Sequence, residues 1–357
     1  MVKETGDASG RGRPRLRRLG RVAGGLVAAA SRRQALSLEW RRWLADNLAA
    51  GVDPGELREV LTQAGVPARE VALRLREASE GAARARLHAR QAERAALALR
   101  LADALRAPTV ARRETPPAAE FFARYWETNT PVILTDLVPR WPAFGRWGPA
   151  YFRERFAEVE VEFEADRAGD RDCDANFAAH RRAGRFADYI DRVLAAGPSN
   201  DLYAIAQNHN LRRPELRPLF ADLRLPPGYF AEERLPGGAA LWFGPAGTVT
   251  SLHHDTSNIL FCQVLGRKRL RLAAPGDPAL LGAARGVYSR IDPEDVGLAG
   301  PEDGGPRLFD VELAAGEALF IPVGWWHHVR ALDLSVSLAL NAFRRPNSFP
   351  WYVPGAR

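Results

Sequence analysis

Two pairs of adjacent histidines hold the residues of this chain that are best suited to metal chemistry. Four of the seven histidines lie in the pairs His253-His254 and His327-His328, and Asp255 follows the first pair directly. On a strand, side chains two positions apart point to the same face, so His253 and Asp255 can reach one metal ion while His254 points away. The second pair follows an apolar run and a Pro/Gly turn, and it would bring a third ligand from a separate part of the chain.

Two histidines and one carboxylate on one face of an octahedron are the ligand set of non-haem Fe(II) oxygenases, because they leave adjacent positions open for cosubstrate and dioxygen. A His-x-Asp tripeptide is common by chance, however, and a lone strand histidine is more often a structural side chain than a ligand. The residues around the tripeptide therefore decide between the two interpretations.

Lysine usage favours the oxygenase interpretation. The chain has two lysines against 48 arginines, and Lys268 is the only lysine outside the N-terminal tail. On a strand, Lys268 shares an apolar face with Leu270 and Leu272, where a charge is costly unless an anion meets it. The distal carboxylate of 2-oxoglutarate is the anion we expect, and an ion pair with an internal Asp or Glu is the alternative.

The elements that must position these residues are short strands, which begin at about Thr115. Short apolar runs cut by Gly, Pro and Asp predict many strands with tight turns, and this pattern favours a sandwich or barrel over a parallel sheet. The predicted strands are 131–134, 159–163, 202–206, 240–243, 258–264, 268–272, 318–321, 328–332 and 335–340.

The sequence of residues 36–108 predicts helices and contains no strand signal. Glycines and prolines divide the first part into three short helices, and Glu80–Arg106 predicts one long helix. Such a module binds a peptide or partner, or else serves packing or dimerisation, so a homodimer is one expectation.

The net charge of +7 lies in residues 1–35, which hold nine basic side chains against two acidic ones, while the remaining residues balance. A disordered basic tail is therefore predicted, and binding of nucleic acid or an anionic surface would be a property of this tail alone. No run of about 18–20 apolar residues predicts a membrane helix. Two cysteines outside any C-x-x-C pair favour a reducing, cytoplasmic location.

Three motifs together resemble the cupin-like branch of the JmjC oxygenases, which includes the asparaginyl hydroxylase of hypoxia-inducible factor and the arginyl hydroxylase-type JmjC proteins. The motifs are Thr250–Asp255, Asn258–Lys268 and Gly316–His328, within a similarity from about Ala118 to Tyr352. The resemblance implies an α+β chain: a double-stranded β-helix (jelly-roll) domain at 115–352, preceded by the all-α module.

The resemblance also implies roles for individual residues. His253, Asp255 and His327 would be the iron ligands, with His328 a neighbour. Lys268 and Thr250 would bind the distal carboxylate of 2-oxoglutarate. The further cosubstrate contacts that the resemblance implies are Asn258, Asn341 and Tyr203.

The activity implied is oxidation of a substrate by Fe(II), 2-oxoglutarate and O₂, with succinate and CO₂ as coproducts. Hydroxylation of a peptide or protein side chain is the expected reaction. Demethylation of N-methyl-lysine and hydroxylation of RNA or a small molecule are alternatives. A non-enzymatic JmjC-like protein that binds nucleic acid through its basic tail, or a cupin with another metal, also stays open. Specificity is expected to come from the rim segments 166–185 and 297–305.

Overall fold

The structure is a computed structural model that describes residues 36–50, 52–104, 109–295 and 297–349. The predicted basic tail, residues 1–35, lies outside these ranges, as do residues 105–108 and 350–352 at the limits of the predicted folded regions. The chain divides into two compact units, Met1–Ala98 and Leu99–Arg357.

The first unit is built from helices α1 (Leu38–Ala49), α2 (Pro54–Gln63) and most of α3 (Ala68–Ala104), whose last residues lie beyond Ala98. Ser37 caps α1, where its hydroxyl accepts a hydrogen bond from the backbone N–H of Trp40. Asp53 caps α2 just before the proline at its first position. The buried apolar side chains of these helices form a small core of their own, made of Trp43, Leu44, Leu48, Leu57, Leu61, Val71 and Leu75.

Helix α3 differs from the prediction. The predicted third short helix and the long helix Glu80–Arg106 form one continuous helix of 37 residues. No proline interrupts this stretch, and Gly81 is an isolated interior glycine that costs a helix only about 1 kcal/mol relative to alanine.

The second unit contains two six-stranded sheets. The first has the strand order β1 (Ala111–Arg113), β2 (Val132–Leu134), β13 (Ala318–Ile321), β8 (Ile259–Leu265), β15 (Ser335–Leu340) and β6 (Ala239–Gly244). The second has the order β10 (Ala284–Arg285), β11 (Tyr288–Ser289), β7 (Val249–His254), β14 (Trp326–Ala331), β9 (Lys268–Ala273) and β12 (Phe309–Leu313). The β1–β2 pair is parallel, and the other pairs in both sheets are antiparallel.

A three-stranded sheet and short helices surround this pair of sheets. The small sheet has the order β4 (Arg181–Arg185), β3 (Glu160–Ala165) and β5 (Leu202–Tyr203). The helices are α4 (Ala118–Phe121), which continues as one π-helical turn Phe122–Trp126, α5 (Pro149–Phe156), α6 (Phe177–His180), α7 (Phe186–Ala195) and α8 (Pro278–Ala283).

The apolar side chains separate into an inner and an outer core. The inner core lies between the two large sheets and joins residues such as Phe261 and Ile321 of the first to Leu270, Leu272 and Val329 of the second. A larger, aromatic-rich core packs the other face of the first sheet against the helices and the small sheet. Two facing, largely antiparallel sheets, preceded in the sequence by a helical region, confirm the predicted α+β jelly-roll class.

The turn between β8 and β9 requires a glycine. Gly266 has a φ of +72°, and a Cβ at this position would lie 2.3 Å from the carbonyl oxygen of Leu334. Only glycine tolerates this backbone without strain. The turn fixes where β9 begins, and therefore which residues of β9 point into the inner core. Among the described residues, no helix is long and apolar enough to cross a membrane.

Candidate metal and cosubstrate site

Strand β7 presents the first two candidate ligands on one side. His253 and Asp255 line the cavity between the large sheets. The ring of His254 packs edge-on against Trp326 with 4.8 Å between ring centroids, although His254 also contributes to the cavity lining. His253 and Asp255 therefore share one side of the chain, as strand alternation predicts for this tripeptide.

His327 joins them from the neighbouring strand β14. It pairs in register with His253, and the two ring centroids are 4.2 Å apart. The Nε2 atom of His327 lies 3.8 Å from Oδ2 of Asp255. One potential ligand atom from each of the three residues falls within 4.8 Å of the others, and no other such group occurs among the described residues.

The backbone sets the orientation of both imidazole rings. Nδ1 of His253 lies 2.7 Å from the carbonyl oxygen of Ser251, and Nδ1 of His327 lies 3.0 Å from that of Trp325. A carbonyl oxygen can only accept, so each Nδ1 donates its proton and Nε2 is the ring nitrogen left to face a metal ion. Metal-binding histidines in proteins are commonly held in this way.

Burial favours the neutral forms of both His327 and Asp255, which suits the imidazole ligand, whereas the carboxylate needs a cation to hold its charge. Burial, followed by the neighbouring His253, holds the pKa of His327 well below its usual range, so this imidazole is neutral at neutral pH. Burial also raises the pKa of Asp255, although the nearby histidines oppose this shift. A divalent cation would supply the stabilisation that the Asp255 carboxylate loses on leaving water. Two imidazoles and one carboxylate fit Fe(II) as the bound ion.

The triad borders a cavity of about 310 Å³ between the large sheets. This is at the lower end of the range of small-molecule sites, roughly 300–1,000 Å³. The other side chains around the cavity are mainly apolar and aromatic, with a few polar groups. The lining residues beside the triad are Asp174, Tyr203, Ile205, Ala206, Gln207, Trp242, Thr250, His254, Thr256, Ile259, Phe261, Val287, Tyr288, Ile321 and Val329.

Lys268 lies at the start of β9. The residue of β9 that pairs with His327 is four positions further along the strand, or roughly 13 Å away at 3.3 Å per residue. Lys268 is fully buried, while Arg269 next to it is exposed. Its Nζ donates to the hydroxyl of Tyr203 at 2.9 Å and lies 5.2 Å from the ring centroid of Phe261. No carboxylate forms an ion pair with it in the described parts of the chain, and burial lowers its pKa to about 7.

Tyr203 and Thr250 both line the cavity, whereas Lys268 does not and reaches it through the Tyr203 hydroxyl. The hydroxyls of Thr248 and Thr250 interact with the hydroxyl of Tyr203. Lys268 and these three hydroxyl groups form a polar cluster in otherwise apolar surroundings. Such a cluster can bind a carboxylate through an ammonium and neighbouring hydroxyl donors.

The structure does not bring Asn258 and Asn341 to this cluster. Neither residue lines the cavity. Asn258 is buried, with its Oδ1 accepting from the backbone N–H of Val323 at 2.9 Å and its Nδ2 donating to Oδ1 of Asn347 at 2.9 Å. Asn341 is exposed just beyond β15. Their predicted contact with the cosubstrate stays a prediction.

Sequence reasoning did not single out several polar residues at the cavity wall. Asp174 and Tyr288 both line the cavity, and the Tyr288 hydroxyl donates to the backbone oxygen of Asp174 at 2.9 Å. Asp174 lies within the predicted rim segment 166–185, but no local pattern distinguishes it from the other acidic residues there. The described residues of the other predicted rim segment, 297–305, do not line this cavity.

Comparison with known proteins places this geometry in a family. The cupin-like domain family matches residues 118–348. A Drosophila melanogaster protein named Jumonji C domain-containing protein 5 is 27% identical over 248 residues, covering 63% of this chain and 58% of that protein. Lysine-specific demethylase 8 of Xenopus tropicalis is 29% identical over 242 residues, covering 63% and 50%.

A third relative carries a different activity in its name. The human bifunctional peptidase and (3S)-lysyl hydroxylase JMJD7 is 27% identical over 256 residues, covering 61% of this chain and 78% of that protein. The chain spans only about half to three fifths of the length of the first two relatives. The family match covers most of the second unit, including every member of the triad and Lys268, so the chain belongs to the cupin-like family of JmjC proteins.

Proposed function

We propose that this chain is a 2-oxoglutarate- and Fe(II)-dependent oxygenase that hydroxylates a side chain of a peptide or protein. The observation that carries the proposal is the combination of a triad at the cavity with a buried ammonium behind the cavity wall, joined to it through Tyr203. His253, Asp255 and His327 converge at one side of the cavity, and the buried Lys268 lies beyond Tyr203 without a carboxylate partner among the described residues.

Each end of the cavity suits one end of a short 2-oxo dicarboxylate. The triad would hold Fe(II), which together with 2-oxoglutarate and O₂ supplies the oxidation of a substrate C–H bond. Lys268, with the hydroxyls of Tyr203 and Thr250, would bind the distal carboxylate. A buried ammonium without an anion is costly, and this cost favours occupancy of the site by a carboxylate.

The apolar wall has a separate task in this proposal. Ile205, Ile259, Phe261, Ile321 and Val329 exclude water from the centre of the cavity. Exclusion of water strengthens the electrostatic attraction between Lys268 and its anion, and it limits side reactions of the oxidising centre.

A peptide or protein substrate is supported by the relatives' names, which include a lysyl hydroxylase and lysine-specific demethylases. The same names keep demethylation of N-methyl-lysine as the second candidate. Both reactions begin with oxidation of a C–H bond, and the products tell them apart: a hydroxylated residue keeps its added oxygen, whereas a demethylated residue loses formaldehyde.

The test is single-turnover and steady-state conversion of 2-oxoglutarate to succinate by the Fe(II)-loaded protein, with and without peptide libraries. We expect slow succinate formation alone, faster formation with a substrate peptide, and a mass gain of one oxygen in that peptide. His327→Ala should abolish both reactions, and His328→Ala, on the other face of β14, should keep them. No succinate from the wild type would reject the proposal, and a methyl loss with formaldehyde would replace hydroxylation by demethylation.

We further propose a reducing, cytoplasmic location for the protein. Cys173 and Cys262 are both free and buried in the described structure, which is how cysteines are usually found where disulfides do not form.

A further inference from the structure

A group of three charged side chains is buried beside the cavity, at the end of β3 and in the loop that follows it. Glu164 and Arg167 are fully buried, and Asp174 is 4% exposed. Nε of Arg167 lies 3.2 Å from Oε2 of Glu164, and its Nη2 donates to Oδ1 of Asp174 at 2.8 Å. None of the three is a ligand of the triad, and only Asp174 lines the cavity.

On one side, this group holds the strand that carries the metal ligands. Nη2 of Arg167 donates to the backbone oxygen of Val249 at 3.2 Å. Oδ2 of Asp174 accepts from the backbone N–H of Ser251 at 2.7 Å. The carbonyl oxygen of the same Ser251 accepts from Nδ1 of His253. Arg167 therefore reaches the first proposed iron ligand through one carboxylate and the backbone of one residue, Ser251.

On the other side, the guanidinium packs against the cosubstrate end of the cavity. The Cζ atom of Arg167 lies 5.4 Å from the ring centroid of Tyr203, and Nζ of Lys268 lies 5.4 Å from the same centroid. The Tyr203 hydroxyl accepts from Lys268. Tyr203 therefore contacts two buried basic side chains. The contact with Arg167 restricts the position of the Tyr203 ring, and so of its hydroxyl.

The group is a poor source of stability, and we therefore look to its geometry for its role. Burial raises the pKa of Glu164 to about 7 despite the opposing attraction of Arg167. Desolvation of buried ion pairs commonly cancels their Coulomb attraction, and apolar replacements are often neutral or stabilising. A planar guanidinium can, however, contact several fixed acceptors at once, which a lysine ammonium on a flexible stem does less well.

We propose that Arg167 is a positioning residue that couples the two ends of the cavity, orienting His253 through Asp174 and Ser251 and orienting Tyr203 by direct contact. The inference rests on the proposed function, because it concerns binding of a divalent metal and of 2-oxoglutarate. Substitution of Arg167 should therefore weaken both binding events, although the residue touches neither ligand.

The experiment measures two dissociation constants on the full chain by calorimetry: Mn(II) alone, and then 2-oxoglutarate with Mn(II) saturating. Arg167→Lys keeps the charge and loses the planar fork. We expect this variant to raise the Mn(II) constant by about tenfold or more, as is common when residues that orient metal ligands are changed. We expect a similar rise for 2-oxoglutarate.

Two further variants separate positioning from general folding. Arg330→Lys is the matched control, since Arg330 lies on β14, the strand of His327, but pairs with Glu294 on the outer face; both constants should stay within about twofold of wild type. Asp174→Asn should raise the Mn(II) constant more than the 2-oxoglutarate constant, because Asp174 connects Arg167 to Ser251, whereas Arg167 contacts Tyr203 directly. It also keeps the test available if an Arg167 variant does not fold.

The outcomes separate the two proposals. If wild type binds Mn(II) and 2-oxoglutarate and Arg167→Lys binds both equally well, Arg167 has no positioning role, whatever its effect on melting temperature. If only one constant changes in Arg167→Lys, the coupling of the two ends is wrong. If wild type binds neither, the proposed function itself fails.

Discussion

Lys268 is the residue whose environment is most specific for the proposed cosubstrate. It is buried on the inner face of β9 with a hydroxyl rather than a carboxylate as its hydrogen-bond partner. Its inward direction follows from strand alternation, a local property, and this is why the sequence could predict it. The same reasoning placed His253 and Asp255 on one face and His254 on the other.

We expect Lys268→Ala to weaken 2-oxoglutarate binding by about ten- to a hundredfold, because hydrogen bonds to charged groups contribute roughly 1.5–3 kcal/mol. Affinity for the metal alone should change little. Arg269→Ala, on the exposed face of the same strand, is the control and should bind 2-oxoglutarate like wild type. Equal affinities in Lys268→Ala and wild type, measured by calorimetry, would remove Lys268 from the site.

The pH dependence of binding gives a second prediction for the same residue. Burial lowers the pKa of Lys268 to about 7, so in the free protein its ammonium loses its proton as the pH rises above 7. An anion binds the protonated form, so 2-oxoglutarate affinity should fall between pH 7 and 9, by up to about tenfold per pH unit. Binding of 2-oxobutyrate to the Mn(II)-loaded protein is the control, since it lacks the distal carboxylate. Identical pH slopes for the two compounds would contradict the assignment.

At the scale of elements, contacts between distant segments decide what the local pattern leaves open. The sequence predicted the long apolar strands β8, β13 and β15, because each is buried on both faces. It did not predict β4, which is mostly exposed and depends on its partner β3. The sequence also did not predict the short strands β10 and β11. The hydrogen bond from Tyr288 to Asp174 joins two distant segments, so neither segment alone could predict it.

Asn258 illustrates the same limit. Its sequence position suggested a cosubstrate contact, but its side chain joins the start of β8 to Val323, in the turn before the strand of His327, and to Asn347. We therefore expect Asn258→Ala to lower the free energy of unfolding by about 1–3 kcal/mol, because it leaves buried polar groups without partners.

The 2-oxoglutarate affinity of folded Asn258→Ala should stay within about twofold of wild type. Asn341→Ala, at an exposed position, should change the free energy of unfolding by no more than about 0.5 kcal/mol in chemical denaturation. A large loss of cosubstrate affinity in Asn258→Ala without a loss of stability would favour the direct contact that the sequence suggested.

At the scale of the whole molecule, the helical unit has a hydrophobic core of its own, and the metal triad lies entirely within the second unit. The sequence predicts a helical module at 36–108 and a second domain at 115–352, because glycine, proline and strand signals change between residues 108 and 115; the two compact units divide between Ala98 and Leu99, and the predicted limits stay a prediction. The sequence does not predict what the helical unit and the basic tail do. A peptide-binding module and a packing module, for example, share one helical pattern.

If the helical unit recruits a protein substrate, deletion of residues 38–107 should raise KM for that substrate and spare substrate-independent conversion of 2-oxoglutarate to succinate. Deletion of residues 1–35 tests the tail separately. Loss of salt-dependent nucleic-acid binding in this variant, and not on deletion of residues 38–107, would support the tail prediction. Loss of both activities on deletion of residues 38–107 would instead indicate that the unit is needed for folding.

The most direct test of the account is an anaerobic titration of the purified protein with Fe(II) and 2-oxoglutarate, followed by the visible charge-transfer band of their chelate. The account predicts a saturable band in wild type, no band in Asp255→Ala, and a band in Lys268→Ala that requires far more 2-oxoglutarate. Absence of the band in wild type, or its persistence in Asp255→Ala, would contradict the assignment of this cavity as an Fe(II) and 2-oxoglutarate site.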